Sequence, residues 1–362
     1  MAGIYVHIPF CKSRCIYCDF FSTTQLEQCS QYIEAVIREY ALRRRYLPEN
    51  EPVRTIYIGG GTPSLLETAN LAQLLHTLPT NEAIEITLEA NPSDVTEANL
   101  LGWRKAGVNR VSMGVQSLND DLLRFIGRRH NAKQATDAVQ LAQQCGFDNI
   151  SIDLIYGLPH QTMELWQSDV EQALTLNVQH ISTYCLSYEA DTPLDKMRAV
   201  GTVQETDEEL ANAMYAYICN RLRQEGWNHY EVSNFALPGY ESKHNSSYWD
   251  DTPYLGLGAG AHSYNGHSRQ WNIADLQTYM QQIASGYVPC ESEQLNETDR
   301  YNERIMLGLR TSRGIQVTDE LLQKAQPYIA TGKLRLADGQ LIATPEGINI
   351  LNTIITDLMR DE

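Results

Sequence analysis

Residues 5–20 read Tyr-Val-His-Ile-Pro-Phe-Cys-Lys-Ser-Arg-Cys-Ile-Tyr-Cys-Asp-Phe, placing Cys11, Cys15 and Cys18 in a CxxxCxxC spacing just past an apolar, strand-like run. Three thiolates are one fewer than the irons of a four-iron cluster, so a cluster held here keeps one iron open to a small molecule. An electron carrier or a structural staple closes its site with a fourth Cys. Zinc is the rival occupant. A structural zinc site takes four N or S ligands, usually as two pairs. No second CxxC pair exists, and His7 or Cys29 would have to complete the tetrahedron. Cys29, Cys145, Cys185, Cys219 and Cys290 stand singly; they read as small buried apolar side chains of a reduced protein rather than a disulfide framework.

Outward from that loop, strand-like runs alternate with helical patterns to about residue 230. The strand candidates are residues 4–8, 55–58, 84–89, 110–115, 149–155 and 180–186. Most read as continuous apolar runs, as expected of strands covered on both faces. Helical stripes lie between and after them: Ile33, Val36, Ile37 and Tyr40; Leu71, Leu74, Leu75 and Leu78; Leu210, Met214, Ile218 and Leu222. About six βα units predict an α/β fold, a parallel sheet curling into a partial (β/α)6 barrel that does not close as eight.

The polar residues fall in one place on this scheme. Cys11 to Cys18 follow the first strand and Gly59-Gly60-Gly61-Thr62-Pro63 the second. Glu89 ends the third, Gln116 ends the fourth, and Asp153 lies in the fifth, shortly before Gly157-Leu158-Pro159. The carboxyl ends of barrel strands carry the active site, so residues distant in sequence converge on one mouth. A glycine run alone is a tight turn; beside a cysteine loop its bare backbone lets a ligand approach closely. Glu89, Gln116, Arg128 and Asp153 suit the carboxylate, amine and hydroxyls of such a ligand. Tyr17 suits stacking on a purine ring or packing of the loop.

The chain has 362 residues, 43% of them hydrophobic, enough for a sizeable core. Its formal charge of −17 and pI near 4.9 repel phosphate backbones, so no nucleic-acid partner is expected. No signal segment and no apolar run of about 20 residues is present; a soluble, cytoplasmic protein without a membrane span is expected. Twenty tyrosines against six phenylalanines fit a polar-lined cleft or amphipathic core edges. Residues 231–296 look less regular and carry Lys243-His244-Asn245-Ser246-Ser247-Tyr248-Trp249 and Gly256-Leu257-Gly258-Ala259-Gly260-Ala261-His262. Residues 297–362 read as a small separate unit of helices and a hairpin turning at Asp338-Gly339. The unit resembles a winged helix, yet 8 Lys/Arg against 10 Asp/Glu show no phosphate-binding face, so it reads as a lid or packing element.

YVHIPFCxxxCxYCDF, GGGTPS, EANP, GVQS and DLIYGLP together resemble the radical S-adenosylmethionine superfamily, in the branch that holds the oxygen-independent coproporphyrinogen III oxidases and the HemW-type haem chaperones. The resemblance runs nearly end to end. It implies that Cys11, Cys15 and Cys18 hold a [4Fe-4S] cluster whose open iron is chelated by S-adenosylmethionine. It further implies that Tyr5, Tyr17, Gly60, Gly61, Thr62, Glu89, Gln116, Arg128 and Asp153 contact that ligand. It divides the chain into a cluster-bearing partial barrel (1–230), a connecting segment (231–296) and a small C-terminal HemN-like domain (297–362). The oxidases of this branch carry one more Cys two positions after the third and a longer N-terminal extension; here that position is Phe20. His244 to Trp249 resembles the HNxxYW motif of the chaperones. The departures favour a haem chaperone over an oxygen-independent coproporphyrinogen III oxidase, which would be a radical S-adenosylmethionine oxidoreductase. The implied partners are haem, apo-haemoproteins such as respiratory enzymes, and a second copy in a homodimer. A haem iron takes an axial donor such as His or Cys and an apolar, aromatic wall. His244 with Tyr248 and Trp249 offers these parts, as does a hydrogen-bonded structural corner; His262 is a second candidate donor.

Overall fold

The computed structural model describes residues 1–361. Its main sheet is built from β1 (Ala2–Ile8), β2 (Val53–Gly60), β3 (Glu85–Ala90), β4 (Arg110–Gln116), β5 (Ile150–Tyr156), β6 (His180–Cys185), β7 (Asn228–Glu231), β8 (Asn234–Ala236), β9 (Tyr254–Leu257), β10 (His262–Tyr264), β11 (Ser268–Asn272) and β12 (Cys290–Gln294). The spatial order is β12-β11-β10-β9-β1-β2-β3-β4-β5-β6-β8-β7. β1 to β6 run parallel, each feeding a helix that returns over the outside, which makes the open, six-unit partial barrel the sequence predicts.

The strands alternate rather than being apolar throughout. Ile4, Val6, Ile8, Ile56, Ile58, Leu88, Val111, Met113, Ile152, Leu154 and Ile181 pack outward with the helices in one core. The residues between them face the lumen: Tyr5, His7, Tyr57, Glu85, Thr87, Glu89, Arg110, Ser112, Ser151, Asp153 and His180. Isoleucine, leucine and valine dominate the outward set and mask this period of two. Part of the tyrosine excess lies here. Tyr5 stacks on Tyr57 at 6.2 Å, and Tyr57 stacks on His244 at 5.2 Å, inside the barrel.

Residues 231–296 are more regular than the sequence suggests. β9 pairs in parallel with β1, placing Gly256 beside Tyr5, and β10 to β12 extend the sheet by antiparallel steps. These strands are short, two of three or four residues, so no pattern accumulates along them. Gly256 is needed at this edge because a Cβ there would sit 2.0 Å from the His262 carbonyl oxygen.

A second apolar cluster, including Tyr301, Ile305, Leu321, Leu334, Leu341, Ile354 and Ile355, forms its own centre near the C-terminus. Helices Glu297–Gly308, Asp319–Ala330 and Leu351–Leu358 pack on a three-stranded sheet of β13 (Ile315–Gln316), β14 (Leu334–Ala337) and β15 (Gln340–Ala343). The hairpin turns at Asp338 and Gly339, with φ of 51° and 76°, the double left-handed turn that Asp-Gly favours. The Val232 amide donates to the Arg310 carbonyl (2.9 Å) and the Ser312 amide to the Tyr230 carbonyl (3.0 Å), joining this unit to the β7–β8 turn.

Candidate functional site

The carboxyl ends of β1 to β6 surround a cavity of about 450 Å³. Cys11, Cys15 and Cys18 line one side of it, and all three are free thiols. Pro9 ends β1 and sends the chain into a loop. The loop is pinned at its base, where the Cys11 amide donates to the Thr23 carbonyl (2.8 Å) and the Thr23 amide to Pro9 (2.6 Å). Farther out the Ile16 amide reaches the Ile126 carbonyl (3.3 Å). The loop is therefore held at both ends while its sulfurs face the cavity.

Two donors address the sulfurs. The Thr62 hydroxyl donates to Cys11 Sγ (3.5 Å) and Arg128 Nη1 to Cys15 Sγ (3.4 Å). Burial pushes the Cys18 thiol up to about 11, with the Phe20 amide opposing and the neighbouring cysteines adding to the rise. A thiolate there needs a cationic partner, which a bound metal supplies. The glycine run is tailored to the cysteine loop. A Cβ on Gly61 would stand 2.9 Å from both Cys11 Sγ and the Phe10 carbonyl oxygen; Gly60 has φ +111° and a Cβ there would strike His7 at 2.7 Å.

The carboxylates stand opposite. Glu89 accepts from the Tyr57 hydroxyl (2.8 Å) and the Gly60 amide (3.1 Å). Burial is the main reason its carboxyl rises to about 7, with Asp153 adding to it. Burial also raises Asp153, which Ser182 and Arg110 partly offset. Gln116 sits at a β-bulge with φ +69°, a conformation side chains resist and that concentrates at functional sites. Gly114 beside it leaves room for the Gln116 amide and the Arg128 guanidinium, which a Cβ would meet at 2.9 and 3.0 Å.

The structure thus brings Cys11, Cys15, Cys18, Tyr17, Gly60, Gly61, Thr62, Glu89, Gln116, Arg128 and Asp153 to one cavity. Tyr5 is not on it. Tyr5 lies deeper in the lumen, on an inner cavity of about 420 Å³ that also touches Glu89, Tyr184, His244, Tyr248 and Trp249. Among the described residues no three His, Cys, Asp or Glu side chains converge as a single-ion site would require. His7 cannot serve as a fourth ligand as it stands, since Nδ1 is engaged by the Tyr5 hydroxyl (3.0 Å) and Nε2 by the Phe21 carbonyl (2.8 Å). Three thiols around a roomy cavity, two of them with side-chain donors, fit a multi-iron cluster with a small-molecule ligand better than one zinc ion.

One element of the mouth escapes sequence reasoning. Asp94 accepts from Lys12 (3.1 Å), Ser64 (3.1 Å) and both terminal nitrogens of Arg129 (3.0 and 2.6 Å). Burial works to raise its pKa, but Arg129 and Lys12 outweigh it and hold the carboxyl below the usual range. This knot ties the cysteine loop to the loops after β2 and β3. Its signal was Asp94 in Asn91-Pro92-Ser93-Asp94, close behind Glu89.

The HNxxYW segment is somewhere else altogether. Helix Lys243–Ser247 plugs the amino-terminal end of the barrel, where Glu85 caps it by accepting from the amides of Lys243 (3.0 Å) and His244 (2.9 Å). His244 is fully buried, with Nδ1 2.8 Å from Thr55 Oγ1 and Nε2 2.9 Å from the Tyr248 hydroxyl. Burial first, and then Arg110, drive its pKa down to about 3. Both ring nitrogens are spoken for, so His244 would have to give up a hydrogen bond to ligate iron. His262 is exposed on β10 and stacks on Trp271 at 6.3 Å.

A partial barrel with three thiols and a glycine cradle at its mouth defines a radical S-adenosylmethionine protein. Residues 5–173 match the radical SAM superfamily, and residues 295–350 the HemN C-terminal domain. The heme chaperone HemW of Lactococcus lactis is 38% identical over 99% of this chain and 97% of its own length. That of Bacillus subtilis is 36% identical over 87% of this chain and 85% of its own. The mitochondrial radical S-adenosyl methionine domain-containing protein 1 of Bos taurus is 33% identical, covering 99% of this chain and 87% of that protein. The chain belongs to the HemW family. The coproporphyrinogen III oxidase HemN of Escherichia coli superposes with a TM-score of 0.83 at 23% identity, over 99% of this chain and 90% of that one, a likeness of fold.

Proposed function

We propose that this chain is a haem chaperone of the cytoplasm that binds haem and hands it to apo-haemoproteins such as respiratory enzymes, and that it works as a homodimer. The observation that carries this reading is the end-to-end likeness to chains named heme chaperone HemW. Phe20 supports it: it is 65% exposed at the rim of the mouth, where the oxidases of this branch carry a further Cys.

In this reading Cys11, Cys15 and Cys18 hold a [4Fe-4S] cluster, whose open iron supplies a coordination position for S-adenosylmethionine. Arg128 and Thr62 steady the thiolate charge at Cys15 and Cys11 through their hydrogen bonds. Glu89, its carboxyl raised by burial, accepts from the Gly60 amide and so fixes the glycine cradle beside the cysteines. Residues 1–230 carry this site, 231–296 supply the floor and the added strands, and the C-terminal unit, as far as residue 361, covers the floor from outside.

The test is anaerobic. Reconstituted protein is given haem and an apo-cytochrome, and separately reductant, S-adenosylmethionine and coproporphyrinogen III. Haem should move to the apoprotein, and no protoporphyrinogen should form. Decarboxylated product at multiple turnovers would overturn the chaperone reading in favour of the oxidase.

A further inference from the structure

At the outer side of the barrel floor, where the C-terminal unit meets the β7–β8 turn, lies a cleft of about 1100 Å³. Its size exceeds what small-molecule sites usually need, about 300–1,000 Å³. Its charge is at odds with the chain. The protein carries 28 Lys and Arg against 45 Asp and Glu, yet the cleft is lined by Arg223, Lys243, Arg304, Arg310, Arg313 and Arg335. Four acidic residues, Glu231, Glu241, Asp250 and Asp251, share the lining. Among the described residues only Arg313 of the six basic ones has a carboxylate within ion-pair range, Asp250 at 3.8 Å. Cations gathered in an acidic protein and left without carboxylates of their own are arranged for an external anion.

The walls specify more than charge. Trp227, Tyr230 and Trp249 present aromatic surface from the barrel floor, facing Leu307, Ile342 and Ile348 of the C-terminal unit. A flat apolar ring with anionic arms matches a cleft with aromatic and aliphatic walls and an arginine rim. Trp249 and Glu231 also line the inner cavity, which in turn shares Glu89 and Tyr184 with the cysteine mouth. Trp249 and Glu231 thus stand between the cleft and the inner cavity, and Glu89 and Tyr184 between the inner cavity and the cysteine mouth.

We propose that this cleft binds a dicarboxylate tetrapyrrole, its ring between Trp249 and the C-terminal unit and its carboxylates on the arginine rim. The assignment rests on the haem-chaperone reading and locates its cargo. It gives the HNxxYW segment two roles: His244 holds the floor, and Trp249, at the end of the same segment, meets the cargo.

The experiment titrates the full-length, cluster-loaded protein with haem and follows the Soret band. Arg313 and Arg335 are both exposed, so Arg313→Glu with Arg335→Glu should fold normally, with cluster absorbance as the check. The double variant should weaken haem binding at least about tenfold. Haem dimethyl ester should bind the wild type as weakly as the variant binds haem. Arg124→Glu with Lys133→Glu, a matched change at exposed positions away from the cleft, should leave binding unchanged. Wild-type affinity in the cleft variant, equal loss in the control, or tight binding of the ester would each overturn the cleft while leaving the chaperone reading intact. A wild-type protein that binds no haem would overturn both.

Discussion

The mouth and the floor of the barrel are both polar, and both carry the residues that mark the family, yet they are built on opposite plans. At the mouth, polar groups line a cavity: three free thiols, a glycine cradle and raised carboxyls. At the floor they are used up on one another. Glu85 caps a helix, and His244 bridges Thr55 and Tyr248. A second lumen histidine repeats the pattern: His180 lies 2.7 Å from Ser151 Oγ and 2.7 Å from the Tyr230 hydroxyl. A motif containing a metal-capable side chain is thus a binding site only where the fold leaves that side chain's lone pair free. Arg110 stands between the two plans. It is almost wholly buried, and its Nε and Nη1 find no hydrogen-bond partner. Burial raises Asp153 above it, which the Arg110 charge partly offsets; burial lowers His244 and His180 below it, and the same charge adds to that.

The contrast breaks first at the thiols. Cys15→Ala should abolish the visible absorbance of the cluster while far-ultraviolet circular dichroism stays that of the wild type. Retained cluster would mean the ligand set is wrong. Next comes the cradle. Gly61→Ala places a methyl against Cys11 Sγ and the Phe10 carbonyl, both within 2.9 Å, and backbone cannot yield easily. Cluster loading should fall by about tenfold, the equivalent of about 1.4 kcal/mol; loading equal to wild type would show that the loops are not interlocked.

The floor should answer in stability instead. His244→Ala strips Thr55 and Tyr248 of a buried partner and should cost about 2–4 kcal/mol in denaturant unfolding, with cluster content per folded protein unchanged. A variant that loses cluster but not stability would reverse the roles assigned to the two ends. A smaller effect lies in pH. The folded pKa of His244 is lowered to about 3 from an ordinary 6.5, so the unfolded chain takes up a proton first as pH falls. The stability His244 contributes is complete above 6.5 and is lost as pH drops toward 3. The stability gap between wild type and His244→Gln should therefore narrow by about 2 kcal/mol between pH 7 and pH 5. A constant gap would mean that the ring titrates in the folded protein as it does in the unfolded chain.

Much of the barrel is legible in the sequence because each βα unit is local. The strand bounds expected for residues 110–115 and 149–155 differ from β4 by one residue at its end and from β5 by one residue at each end. The alternation within those strands is harder to read, since small residues such as Ser112 and Ser151 carry the inward face. β9 is invisible in advance because its partner, β1, lies some 250 positions earlier in the chain, and four residues carry no period.

The amino-acid sequence determined which chemistry the mouth can perform. The CxxxCxxC spacing, the glycines and the strand-end carboxylates are local facts, and a parallel sheet delivers every strand end to the same side. Only the tertiary structure decided which polar residues remain available. The burial of His244, the depth of Tyr5 and the gathering of basic side chains in the cleft each depend on neighbours more than 50 positions away. Whether a side chain is satisfied or free is a property of those neighbours, and no run of adjacent residues contains it.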